Sequence, residues 1–332
     1  MKRSRHNFFK RAACILLVIL LLFAAGSMAA SAVVFRVMFG QDRSSHAAEL
    51  TYADIDQTAY PRRAVSFVSG THTLRGYLYE KDDPRGVVIV ANGLFAGADR
   101  HLSAILCFLD RGWQVFAFDG TGIGESEGDG IVGLQQTRLD LLEAIRTLEA
   151  DDGLKDLPFV LYGHSAGGYA AVSVLAETDR VSAVVSMAGF DSPVETMYYH
   201  ACRRVGILAG VEYPFLWLQN YFLFGKNADT AASDALKQTD VPVILVEGSE
   251  DAVVPEELGM GRICEGLDHV RYLRVETPYC NTHSGLWLTE RAARAGHENT
   301  AGDLTREQRL ALNEIDPAFM DYVLDFFEEA VN

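Results

Sequence analysis

From Tyr60 to the C-terminus, short apolar runs rich in β-branched and aromatic residues alternate with longer amphipathic stretches. This rhythm leaves the chain few ways to fold: a strand followed by a helix, repeated, builds a largely parallel sheet with helices on its faces, an α/β architecture. Eight runs have strand character, at residues 64–68, 73–79, 86–91, 113–118, 158–162, 181–186, 241–246 and 270–275. Helical periodicity marks 101–110, 134–149 (stripe Leu139, Leu142, Ile145, Leu148) and 168–177. Residues 317–331 read as a closing amphipathic helix opened by a proline. Two longer stretches interrupt the alternation, 191–240 after the sixth run and 286–316 after the eighth. The first contains Tyr198, Tyr199, Tyr213, Phe215, Trp217, Tyr221, Phe222 and Phe224, too much apolar surface for a solvated linker, and is expected to form a helical cap. Its aromatics either pack that cap onto the body or line a pocket for an apolar substrate.

The N-terminus obeys a different rule. No charge occurs between Arg11 and Arg36, and a helix of that length, at about 1.5 Å per residue, crosses a hydrocarbon layer of about 30 Å. The basic residues Lys2, Arg3, Arg5, Lys10 and Arg11 precede it, which keeps the N-terminus in the cytoplasm and places the rest of the chain outside. The same stretch is also readable as a cleaved signal peptide, because Gly26, Ser27, Ala29, Ala30, Ser31 and Ala32 follow the apolar run. Val33, Val34 and Phe35 extend the apolar run past that site and favour an anchor over secretion. The expected organisation is an anchor or signal over 1–36, a linker over 37–59 and one α/β domain over 60–332, with the cap at about 191–240. The chain has 29 Lys and Arg against 45 Asp and Glu; six of the basic residues and no acid lie in the first 36 positions, so the remainder has 23 against 45, a net −22. A domain of that charge repels nucleic acid. Cys107, Cys202, Cys264 and Cys280 match no zinc spacing and are either buried thiols or disulfide-bonded in one of three pairings.

The pattern G-x-S-x-G occurs twice, at Gly163-His-Ser165-Ala-Gly167 and at Gly124-Glu-Ser126-Glu-Gly128. A nucleophilic serine on a sharp turn needs a strand directly before it, a helix directly after it and small neighbours. Residues 158–162 supply the strand, and Gly167, Gly168, Ala170 and Ala171 supply the turn and helix. Ser126 follows a run of glycines, and Glu125 and Glu127 beside it oppose formation of an alkoxide, so it reads as part of a polar loop. The segment Asp119-Gly-Thr-Gly-Ile-Gly124 fails as a dinucleotide loop, since its third glycine position holds Glu125.

In order along the chain, Ala91-Asn-Gly-Leu94, Asp119 to Ser126, Gly163 to Gly168, Glu247-Gly-Ser-Glu-Asp-Ala-Val-Val-Pro255 and a late His283 resemble the α/β-hydrolase superfamily, in the branch of serine aminopeptidase-like and monoacylglycerol lipase-like enzymes. The sequence departs from that pattern at Asn92, where many members place His, and in its long insert after His283. The resemblance implies an eight-stranded, mostly parallel sheet with a helical cap after the sixth strand, and a triad in the chain order Ser, Asp or Glu, His. On that order Ser165 is the nucleophile and His283 the base, with His269 and His297 less well placed. Asp251 is the expected acid, with Glu250 beside it and Asp191 as the rival after the sixth run. Backbone N–H groups of Leu94 and Ala166 are the expected oxyanion donors. His164 is expected to pack beside the elbow and not to act as base. The chemistry expected is hydrolysis of a carboxylic ester through an acyl-enzyme on a small-molecule or lipid-like acyl substrate, with no metal or organic cofactor. A peptidase or amidase on the same triad is the alternative, and a non-catalytic binding protein on the same fold is the third reading.

Overall fold

The computed structural model describes residues 2–40, 48–264, 266–299 and 303–332. All eight expected strands form, within two residues of the expected limits: β1 (Arg62–Ser69), β2 (His72–Tyr79), β3 (Val87–Ala91), β4 (Gln114–Phe118), β5 (Phe159–His164), β6 (Val181–Met187), β7 (Val243–Gly248) and β8 (Val270–Val275). They make one sheet in the order β1-β2-β4-β3-β5-β6-β7-β8. The pairs β1/β2 and β2/β4 are antiparallel and all others parallel. Strands β3, β4, β5 and β7 are buried at every position, as strands covered on both faces must be, which is why they read as mostly apolar runs. Strand β5 runs on to His164 because its pairing with β6 continues to His164–Met187.

Two cores flank the sheet. On one face α2 (Leu102–Asp110) and α10 (Pro317–Val331) bury Ile105, Phe108, Val323 and Phe327 against Trp113 and Tyr162. On the other, α3 (Gln136–Glu149) and α4 (Ala166–Ser173) bury Leu141, Ile145, Tyr169 and Val172 against Ile89 and Leu161. Between β6 and β7 come α5 (Pro193–Val205), α6 (Leu208–Phe224) and the short α7 (Ala232–Leu236). Ser192 caps α5 by accepting from the Glu195 N–H, 3.2 Å away, and Pro193 occupies its first turn. Ala232, Ala235 and Leu236 of α7 belong to the core beside α4, so the part that projects from the body is α5 and α6. After β8, α8 (Glu290–Glu298) and α9 (Arg306–Leu312) occupy the long insert, and Arg309 pairs with Asp54 to tie it to the segment leading into β1. Among the described residues no cysteine is in a disulfide.

The N-terminal helix, α1 (Lys2–Phe39), is longer than its uncharged stretch. Residues 41–47 of the expected linker lie outside the described residues. The helix continues to Phe39 because Phe35 and Phe39 are buried in the same core as α3 and α4, their rings 5.5 Å apart.

Candidate active site

Ser165 sits on the bend between β5 and α4 with φ 56° and ψ −120°, a conformation that side chains rarely adopt. Its surroundings leave no room for a gentler turn. A Cβ added to Gly167 would lie 1.9 Å from the carbonyl oxygen of Ala91 at the end of β3, and one added to Gly93 would lie 3.2 Å from the Ser165 Cβ. Glycine at these two positions lets α4 press against β3 and lets the loop after β3 reach the serine. The Ser165 N–H donates to the Met187 carbonyl, 2.8 Å away, which fixes the bend to β6.

Three expected residues meet here. The Ser165 hydroxyl donates to His283 Nε2 at 2.9 Å, and His283 Nδ1 donates to Asp251 Oδ2 at 2.7 Å. Asp251, 4% exposed, also accepts from the N–H groups of Val253 and Val254 through Oδ1, each at 2.8 Å. Its carboxylate is thereby held with one oxygen aimed at the imidazole, and a buried charge so bonded needs no other counter-ion. Asp191 is elsewhere: its carboxylate accepts from the Ser233 N–H and hydroxyl, and holds the start of α7. His269 faces the Leu236 carbonyl, 3.1 Å away, and the His297 ring lies against Tyr279. Leu94 lies in the loop after β3 and Ala166 opens α4, where the first N–H groups of a helix have no acceptor within it. Ser126 is a structural hydroxyl, donating to the Asp119 carbonyl at 2.6 Å and accepting from the Arg75 N–H at 2.8 Å.

A second layer lies behind these residues. His164 Nε2 donates to the backbone carbonyl of His283, 2.8 Å away, so the residue beside the nucleophile holds the residue that carries the base. The His164 ring is 4.8 Å from those of His283 and Trp287. Behind it His101 packs edge-on against Trp287 and Tyr162, with neither ring nitrogen hydrogen-bonded among the described residues. Burial, reinforced by Arg100, holds the His101 pKa down to about 3. Burial and then the neighbouring His283 and His101 hold that of His164 well below the usual histidine range. Both rings are therefore neutral at physiological pH. Asp119 in turn accepts from the Ala98 N–H at 2.7 Å and the Glu125 N–H at 3.0 Å, bracing the loop after β3 against the loop after β4. A short-range signal for His164 was its place in the G-x-S-x-G motif, and Asp119 opens the motif that runs to Ser126, though nothing in it gave its role; His101 had no signal.

Ser165 opens into a cavity of about 300 Å³. Its wall is mostly apolar, with Leu94, Phe95, Phe190, Met197 and Val254, and its polar side chains apart from Ser165 are Thr196, His200 and Arg204. Among the described residues no acidic side chain lines it. Val37, Met38 and Phe39, the last turn of α1, complete it. Among the described residues no group of three or more His, Cys, Asp or Glu is placed to hold a metal ion.

Comparison with known proteins bears on the fold and on part of the sequence. Residues 82–220 match the family described as serine aminopeptidase, S33. A monoglyceride lipase of Rattus norvegicus is 33% identical over 115 residues, which are 33% of this chain and 36% of that protein, so the match spans about a third of the curated relative's length. The Pyrococcus furiosus esterase Pf2001 superposes with a TM-score of 0.60 at 15% identity, over 88% of this chain and 100% of that one. The α/β hydrolase GrgF of a Penicillium species superposes with a TM-score of 0.51 at 16% identity, over 82% of this chain and 99% of that one. By fold the chain is an α/β-hydrolase, and over residues 82–220 it matches the serine aminopeptidase S33 family.

Proposed function

We propose that the chain hydrolyses a carboxylic ester with an apolar acyl part through an acyl-enzyme on Ser165. The observation that carries this reading is the continuous line of hydrogen bonds from Ser165 through His283 to Asp251, set on a strained bend. As the Ser165 Oγ attacks the ester carbonyl carbon, His283 Nε2 takes its proton, and Asp251 holds the resulting imidazolium. The oxyanion forms facing the Leu94 and Ala166 N–H groups. Its collapse breaks the ester C–O bond, and His283 returns the proton to the departing alkoxide. Water then attacks the acyl-enzyme by the same proton route in reverse, releasing the acid and restoring Ser165.

The family match favours a second reading, cleavage of an amide or peptide bond. An aminopeptidase needs a carboxylate to hold the substrate's ammonium group, whereas this cavity has Arg204 and no acid. Ester hydrolysis is therefore the better reading, and the monoglyceride lipase relative is consistent with a lipid-like substrate. In this reading α1 spans a membrane, its basic end in the cytoplasm and the catalytic domain outside. The test is a substrate panel on the purified full chain. p-Nitrophenyl esters of rising acyl length should be turned over, with kcat/KM rising beyond acetate, and aminoacyl anilides should not; the reverse order of the two substrate classes would overturn it.

A further inference from the structure

The way α1 docks fixes how deep the cap must sit. One face of α1 touches the body at regular helical spacing: Ser27, Ser31, Phe35 and Phe39 are buried. The docking begins on α6, where the Phe23 and Phe215 rings meet edge-on at 5.8 Å and the Ser27 hydroxyl donates to Glu212 at 3.1 Å. Before that point residues Ala12 to Leu22 are exposed, and this uncharged part is about 16 Å long, half of a hydrocarbon layer of about 30 Å. Charge-free crossing from Arg11 takes about 20 residues, which uses the helix to about Ser31. The stretch needed to finish the crossing is thus the one already packed on α6.

The surface of α6 fits that position. Glu212 is its one charged residue, and it faces Ser27 on α1. The Asn220 side chain is turned inward, donating to the Ala228 carbonyl at 2.6 Å. What α6 shows outward includes Val211, Trp217, Tyr221, Phe222 and Leu223, with Phe222 69% exposed, and Leu20, Leu21 and Leu22, the turn of α1 just before its contact with α6, are also exposed. Apolar patches this continuous are covered in a working protein. Arg203 and Arg204 close α5 immediately before α6, and Arg36 ends the uncharged part of α1, where lipid phosphates would lie.

We infer that α6 is a membrane-embedded helix: it lies in the outer leaflet against α1 and brings the mouth of the Ser165 cavity to the lipid surface. The occupant of the apolar face is the acyl layer of the bilayer. Because the last turn of α1 walls the cavity, an acyl chain can pass from the leaflet to Ser165 along one helix without crossing water. This rests on α1 being a membrane span, and not on which bond Ser165 cleaves.

The test uses the full chain in phosphatidylcholine vesicles containing brominated phosphatidylcholine, which quenches tryptophan only on contact. Of the three tryptophans, Trp113 and Trp287 are buried in the body, 0% and 5% exposed, so Trp217 on α6 is the reporter. Bromolipid should lower the emission of the wild type, and Trp217→Phe should abolish that loss while keeping the wild-type thermal midpoint. Equal quenching of the two proteins, or none, would overturn the inference. Alkaline extraction of the same vesicles separates the causes: a retained chain without Trp217 quenching has a spanning α1 and a cap in water, and a released chain has no anchor. Neither result touches the ester-hydrolase reading, which the panel of esters and anilides decides independently.

Discussion

At the scale of single residues, the site is an arrangement of short, oriented hydrogen bonds around one strained serine. Replacing Asp251 by Asn keeps the shape but reverses the polarity at His283 Nδ1, and kcat should fall on the order of 10⁴-fold with KM little changed. His164 acts through position: His164→Ala frees the His283 carbonyl, and kcat should drop on the order of 100-fold while the rate's pH profile keeps its shape. His101 bears on stability. Unfolded, its imidazole titrates near 6.5, whereas in the fold it resists protonation down to about 3. Between those values unfolding takes up a proton, so stability falls as pH falls, by up to about 1.4 kcal/mol per pH unit; above 6.5 the residue contributes nothing of this kind. His101→Phe should flatten the loss, seen as a smaller shift of the urea midpoint between pH 6.5 and 4.5 than in the wild type. Ser165, Asp251 and His283 were legible because chain order and local motif name them. His101 and Asp119 were not, since their roles consist of contacts between segments far apart in sequence.

At the scale of elements, the central parallel strands announce themselves because burial on both faces leaves them mostly apolar, with Gln114, His164 and Glu247 only at or near their ends. The antiparallel β1 and β2 carry no such mark: Arg62, Arg63 and Arg75 sit among their apolar positions, and their direction follows from pairing alone. The end of α1 was equally hidden, since Val37 to Phe39 are helical through contacts with the cavity and core. The two loops behind the oxyanion site hang on Asp119. Asp119→Ala leaves the Ala98 and Glu125 N–H groups without their acceptor, at about 1–3 kcal/mol each when buried. At about 2–4 °C per kcal/mol for a domain of this size, the thermal midpoint should fall by at least about 4 °C and by roughly 12 °C at the middle of these ranges, measurable by scanning fluorimetry.

At the scale of the whole molecule, an acidic catalytic domain hangs from an apolar helix that also finishes its active-site cavity. Composition showed the helix and the charge; it could not show that the two halves share a wall, because that is a matter of docking. The central claim remains the chemistry of Ser165, and one measurement reaches it directly: reaction of the full chain with a fluorophosphonate probe, followed by mass-spectrometric mapping of the adduct. A single adduct on Ser165, lost in Ser165→Ala, is the result expected. No adduct, or equal labelling of Ser165→Ala, would contradict it.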